Sequence, residues 1–144
     1  MSEVVGYASG VFDLFHIGHL NILKSASENC DRLIVGVASD EYIENLKGNA
    51  PVIPFEERAE IVANLKFVDK VVKDESVDKT LVWCEHPFHV FFKGDDWRGS
   101  PKGNQLEADM ARVGVRVHYF PYTLHTSSTR LRTYLENAEA AASV

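Results

Sequence analysis

Two histidines three residues apart, His16 and His19, with Gly18 between them, have the most chemically suggestive spacing in the chain. An apolar run, Val4 to Ala8, precedes them and a helical period begins at Gly18, so they lie where a strand hands over to a helix. The unpaired N–H groups and the positive dipole end of a first helical turn attract anions, and a glycine there lets ligand and backbone approach closely. Imidazoles beside that point supply donors for charge gathering on phosphorus during an in-line displacement. The competing reading is a pair that only caps the helix and packs on the sheet. A zinc site would need a further ligand, for which only Asp13 is near, so no metal ligands are assigned.

The elements that must position these residues follow from the alternation of β-branched apolar runs with segments of helical period, which is the pattern of βαβ units and a parallel sheet. Strands are predicted at Val4 to Ala8, Leu33 to Ala38, Lys70 to Lys73, Val90 to Phe92 and Val115 to Phe120. Helices are predicted from Gly18 to Glu28, Asp40 to Leu46, Pro54 to Leu65, Lys79 to Glu85, Asn104 to Arg112, and about Ser127 to Ala142. The fold class is therefore α/β, a Rossmann-like open parallel sheet of about five strands with helices on both faces, forming one domain over 1–144.

Composition sets outer limits on function. With 45% apolar and 25% charged residues the chain is of ordinary globular type, and no apolar run approaches the length of a membrane span. Nothing at Met1 to Tyr7 resembles a secretory signal, so a cytoplasmic location is expected. A net charge of -6 argues against general affinity for nucleic acid, and an anionic ligand would require a local concentration of positive charge. The two cysteines, Cys30 and Cys84, form no C-x-x-C pair, so neither a disulfide framework nor a zinc knuckle is indicated. Cys84-x-His86-x-x-His89 has metal-like spacing, but Pro87 and the following strand should splay those side chains.

Gly10-Val11-Phe12-Asp13 followed by His16-x-Gly18-His19 resembles the signature of the cytidylyltransferase-like nucleotidyltransferase superfamily. Gly94-Asp95-Asp96-Trp97, after the strand Val90-Phe91-Phe92-Lys93, is similar to the matching segment of the bacterial glycerol-3-phosphate cytidylyltransferases, and Ser127-Ser128-Thr129 resembles the Ser-Thr-Thr end of their last signature. The matches run in order from about Val4 to Arg132. By that resemblance His16, His19 and Lys47 are catalytic, contacting the triphosphate and neutralising the reacting phosphates. Gly10, Phe12, Asp13, Gly18, Gly94, Ser127, Ser128 and Thr129 bind the nucleotide, and Arg58, Asp95, Asp96 and Trp97 bind the acceptor. Asp13 would also orient a histidine or, through water, the Mg2+ that accompanies the triphosphate. The resemblance further implies a homodimer and a product feeding cell-wall or capsule polymers.

Each of these residues has a plainer alternative. Lys47 beside Gly48 is ordinary turn chemistry, Arg58 could make a surface ion pair with Glu57 or Glu60, Ser127 to Thr129 could merely cap a helix, and Gly94-Asp95-Asp96 makes a good turn. The chain also departs from the glycerol-phosphate pattern, because Tyr122 stands for the family arginine and His125 for its glycine, which shifts triphosphate binding toward Arg130, Arg132 or His125. Lys47 to Pro54 is closer to the heptose-phosphate branch. The reading is CMP transfer from CTP to a small phosphorylated polyol. The alternatives are ATP, or another acceptor such as a sugar phosphate, a phosphoalcohol or a flavin phosphate, and a non-catalytic nucleotide-binding module.

Overall fold

A computed structural model describes residues 2–121 and 128–142. In chain order the elements are β1 (Val5–Gly10), α1 (Ile17–Ser27), β2 (Arg32–Ala38), α2 (Asp40–Lys47), α3 (Phe55–Ala63), β3 (Lys70–Asp74), α4 (Thr80–Glu85), β4 (Val90–Gly94), α5 (Pro101–Ala111), β5 (Arg116–Phe120) and α6 (Ser128–Ala142). All strand pairings are parallel, in the order β3-β2-β1-β4-β5. The chain winds outward from β1 in one direction, then returns to place β4 on its other side. The order therefore reverses between β1 and β4, where open α/β sheets present a crevice at their carboxyl ends.

Strand alternation divides the core. Leu33, Val35 and Val37 of β2 join Ala8, Val90 and Phe92 on one face, covered by Leu23 and Ala26 of α1 and Val62 of α3. On the other face, Val5, Tyr7, Ile34, Val72 and Phe91 pack against Leu106 and Met110 of α5, with Trp83 of α4 beside them. Gly36 of β2 allows that second face to close: a Cβ there would lie 1.8 Å from the Tyr7 hydroxyl, which instead donates to Asp74 at 2.7 Å. Asp74 also accepts from Lys79 at 2.8 Å, so a buried tyrosine–aspartate–lysine network locks the end of β3.

The observed boundaries refine the predicted ones. β1 and β4 run on to Gly10 and Gly94, bringing both glycines to the crevice. α5 begins earlier than predicted, at Pro101, because Ser100 caps it by accepting from the Gly103 N–H at 3.0 Å and proline suits a first-turn position. Pro54 lies outside α3 as its N-cap residue, with extended ψ.

Candidate active site

The strand-to-helix turn after β1 is unusual. Phe12 and Leu14 adopt positive φ angles of 55° and 49°, a region costly for side chains of that size. Between them Asp13 is buried, and both carboxylate oxygens are engaged: Oδ1 accepts from the Ile53 N–H, and Oδ2 from the Val52 N–H and from Arg132. Burial works to raise the Asp13 pKa, but those donors outweigh it and hold the carboxyl below its usual range. The Asp13 carbonyl accepts from the Ser128 hydroxyl. Asp13 therefore ties the β1 turn to the 51–53 segment and to α6, and no described histidine is bonded to it.

His16 and His19 form a capping box at the start of α1. His16 Nδ1 accepts from the Gly18 N–H at 3.1 Å, and His19 Nδ1 accepts from the His16 N–H at 3.2 Å. Each ring thus spends its Nδ1 lone pair on backbone, so in the neutral ring the proton sits on Nε2. The ring centroids are 3.9 Å apart, and His19 is further packed by Phe12 and Phe15. Burial lowers the pKa of His16. It also lowers that of His19, to about 4, with the His16 charge adding to the effect and Asp13 opposing it. At neutral pH both rings are uncharged Nε2–H donors held at a helix N-terminus, so capping and a chemical role require the same geometry.

Over the carboxyl ends of β1 and β4 lies a cleft with two compartments, of about 880 and 550 Å³. The first is bounded by Gly10, Phe12, Asp13 and His19, by Gly94 and Asp96, and by Ser128, Thr129 and Arg132 of α6. The second lies toward α2 and α5 and is lined by Tyr42, Asp74, Lys79, Phe91, Lys102 and Asp109. Ser9, Gly10, Val11, Ile43, Lys47, Lys93 and Trp97 line both. The second compartment carries four lysines (47, 79, 93, 102) against two aspartates, a local positive excess in a chain of net charge -6.

The expected site residues are thus largely gathered in one place. His19, Lys47, Gly10, Phe12, Asp13, Gly94, Ser128, Thr129, Asp96 and Trp97 line the cleft, while His16 is not among the lining residues but packs in tilted contact against His19. Lys47 is the last residue of α2, and Gly48 closes that helix with φ 88°, which favours glycine. Asp95 does not line the cleft; its carbonyl accepts from the Arg98 N–H in a short 3-10 turn. Ser127, like Tyr122 and His125, lies outside the described residues.

Arg58 requires correction. It is not a surface residue, being 1% exposed, and it is not among the residues that line either compartment. Its guanidinium donates to the carbonyls of Ile53, Val11 and Ala38 and to Asp40 at 2.7 Å, joining the β1 turn, the end of β2 and two helices. His89 likewise has a structural partner, its Nδ1 accepting from the Val5 N–H at 2.9 Å.

Sequence reasoning passed over Lys93, although a signal was present: it is a lone cation at the carboxyl end of the apolar strand Val90-Phe91-Phe92, directly before Gly94-Asp95-Asp96-Trp97. It also passed over Tyr42, Lys79 and Lys102, which no motif joins.

Comparison with known proteins places residues 7–134 under the family model described as cytidylyltransferase-like. A glycerol-3-phosphate cytidylyltransferase of Bacillus subtilis strain 168 is 31% identical over 134 residues, covering 92% of this chain and 95% of that protein. An FAD synthase of Pyrococcus abyssi is 48% identical over 72 residues, 50% of this chain and 49% of that one. A bifunctional protein HldE of Gluconacetobacter diazotrophicus is 41% identical over 140 residues, 95% of this chain but 28% of that protein. The chain thus matches about half of the FAD synthase and about a quarter of the HldE protein. Among solved structures, a lipopolysaccharide core biosynthesis protein from Thermoplasma volcanium superposes with a TM-score of 0.71 at 25% identity, covering 85% of this chain and all of that one.

Proposed function

The chain belongs to the cytidylyltransferase-like family of nucleotidyltransferases, and from that premise we propose that it transfers CMP from CTP to a small phosphorylated polyol, releasing pyrophosphate. The observation carrying this reading is the divided cleft. One compartment holds the N-terminus of α1 and the His19 donor, the other is rich in lysine, and Lys47 and Lys93 line both. This layout suits two phosphorylated substrates meeting end to end. Cytidine is favoured because the glycerol-3-phosphate cytidylyltransferase matches along nearly all of both chains.

In the proposed reaction an oxygen of the acceptor phosphate attacks the α-phosphorus of the nucleotide. A new P–O bond forms, and the bond to the β-phosphate bridging oxygen breaks, so pyrophosphate departs with that oxygen. The Nε2–H groups of His16 and His19 donate to the phosphate oxygens as charge builds, and their Nδ1 bonds to backbone fix the direction of donation. The positive dipole end of α1, whose Gly18 N–H is already taken by His16 Nδ1, and the Thr129 hydroxyl favour the departing phosphates, with Arg132 of α6 taking up the task the family gives to the arginine that Tyr122 replaces. Gly10, Phe12 and Gly94 shape the nucleotide floor, and Lys47, Asp96 and Trp97 face the reacting and acceptor groups. No covalent intermediate is required, since alignment and charge neutralisation suffice.

Mg2+ is proposed to arrive with the triphosphate and to neutralise its charge. The donor set fits a carried ion better than a resident one: both Asp13 oxygens already accept from backbone or Arg132, while Asp96 and Glu136 on the cleft wall are available to its waters. Homodimerisation is proposed on resemblance alone, and light scattering after gel filtration checks it.

A second reading, ATP with a bulkier phosphorylated acceptor, is favoured by the FAD synthase match and by the aromatic residues Tyr42, Phe91 and Trp97 that line the second compartment. A purely nucleotide-binding module has little use for preoriented donors that matter most in a transition state. Pyrophosphate release measured for CTP and ATP against phosphorylated polyols, sugars, alcohols and flavin phosphate separates these readings. The expected result is turnover with CTP and a phosphopolyol; turnover only with ATP moves the assignment to the second reading, and none with any pair removes the transferase.

A further inference from the structure

The cations around the cleft differ in what they have left to offer. Arg58 is spent on three backbone carbonyls and Asp40. Lys79 donates to Asp74 and to the Ser76 carbonyl, at 2.8 and 2.6 Å. Arg132 is paired with Asp13, and Lys102 is exposed on α5. Lys93 is different. It stands at the carboxyl end of β4, lines both compartments, and has its ammonium 4.0 Å from the Trp97 ring centroid. Among the described residues it makes no hydrogen bond or ion pair; of the charges that face it, Lys79 and Lys102 repel it while Asp96 and Asp74 attract it from beyond contact distance. Trp97 supplies a cation–π contact but no acceptor oxygen.

We propose that Lys93 receives the phosphate of the acceptor where the two compartments meet, holding it with Lys47 against the α-phosphorus. The proposal rests on the transferase reading above and assigns to Lys93 the contact the sequence suggested for Arg58. Lys47, at the end of α2, also lines both compartments, so a dianion at the junction meets two lysines from different elements. A partly buried cation beside Phe91, Phe92 and Trp97, with Asp74 and Asp96 near but not bonded to it, is incompletely compensated, and an arriving phosphate offsets that cost. Burial, reinforced by Lys79 and Lys102 and opposed by Asp96 and Asp74, pulls the Lys93 pKa down to about 8, so the free enzyme holds this amine close to its titration point. Phosphate binding favours the charged amine, and a proton is taken up as the acceptor enters.

Lys93→Met and Lys93→Arg in the full chain test this. For Lys93→Met the acceptor KM should rise about 10- to 100-fold, the range for losing one charge-assisted contact, while the nucleotide KM stays within about two-fold. Its unfolding midpoint should not fall, since a desolvated charge is removed, and Lys93→Arg should recover part of the acceptor affinity. In the wild type the acceptor KM should climb as pH rises through about 8, a dependence missing from Lys93→Met. An unchanged acceptor KM, or an equal rise in both KM values, overturns the proposal. Trace acetylation of the wild type near that pH, mapped by mass spectrometry with CTP present, reads the same contact without turnover. Lys93 should be protected by glycerol 3-phosphate and by inorganic phosphate but not by glycerol; equal labelling in all three overturns it. A wild type that releases no pyrophosphate with any acceptor removes the transferase reading, and the labelling still decides whether Lys93 holds an anion.

Discussion

The two compartments of the cleft are assembled differently. The first is built around one contiguous stretch, Gly10 to His19, in which a strand ends, two residues take positive φ, and two histidines cap a helix with their own Nδ1 atoms, and it is closed by Gly94 and Asp96 after β4 and by Ser128, Thr129 and Arg132 of α6. The second draws Tyr42 from α2, Asp74 from β3, Lys79 from the turn before α4, Lys93 from β4 and Lys102 from α5. On the proposed reading, the local part fixes a reaction geometry that many acceptors can share, and the dispersed part lets acceptor recognition change by single substitutions at residues such as Tyr42 or Lys102 that line the second compartment alone.

That contrast can be broken most forcefully at the residue joining the first compartment to its scaffold. Arg58→Met leaves three carbonyls and Asp40 without their donor, and we expect about 3 to 5 kcal/mol of stability to be lost in denaturant titration. If acceptor KM changes with stability intact, Arg58 has a binding role after all. Next in size, His19→Ala should lower kcat by roughly 10² to 10³ with little change in acceptor KM, the scale of losing one preorganised donor. A loss confined to KM would move His19 from reaction geometry to simple binding. Acid sensitivity follows from the same ring. His19 titrates at about 4 in the folded chain against an ordinary 6.5, so its neutral form stabilises the fold fully above 6.5. That stability is lost as pH falls from 6.5 through about 4, and thermal midpoints across this window should drop less steeply in His19→Gln. Smallest of all, Lys102→Ala on the exposed rim of the second compartment should raise acceptor KM only about two- to five-fold and leave kcat alone, as a solvated charge at distance would.

Much of this was legible in the sequence where function and local structure coincide. Parallel strands buried on both faces give unbroken apolar runs, so Leu33 to Ala38 and Val90 to Phe92 could be read nearly to the residue. The start of α5 was misread because Gly99-Ser100-Pro101 has the composition of a loop, although a serine cap followed by proline is also how a helix begins. Arg58 was misplaced for a different reason. Nothing in a lone arginine among Glu56, Glu57 and Glu60 says that backbone carbonyls from the turn after β1, the end of β2 and its own helix approach will converge on it. Lys93 shows the same limit from the other side: its position at a strand end was visible, but its lack of a partner depends on where Asp74 and Lys79 meet, which only the folded sheet determines.

The central claim is that the α-phosphorus is the atom attacked and that a phosphorylated acceptor attacks it. It is tested most directly by supplying CTP labelled with ³²P at either the α- or the γ-phosphate, together with glycerol 3-phosphate and the wild-type chain. The account predicts that α-label moves into a nucleotide–polyol product while γ-label leaves as pyrophosphate, both only when the acceptor is present. Release of γ-label as inorganic phosphate, or α-label remaining wholly in CTP with every phosphorylated acceptor tried, would contradict it.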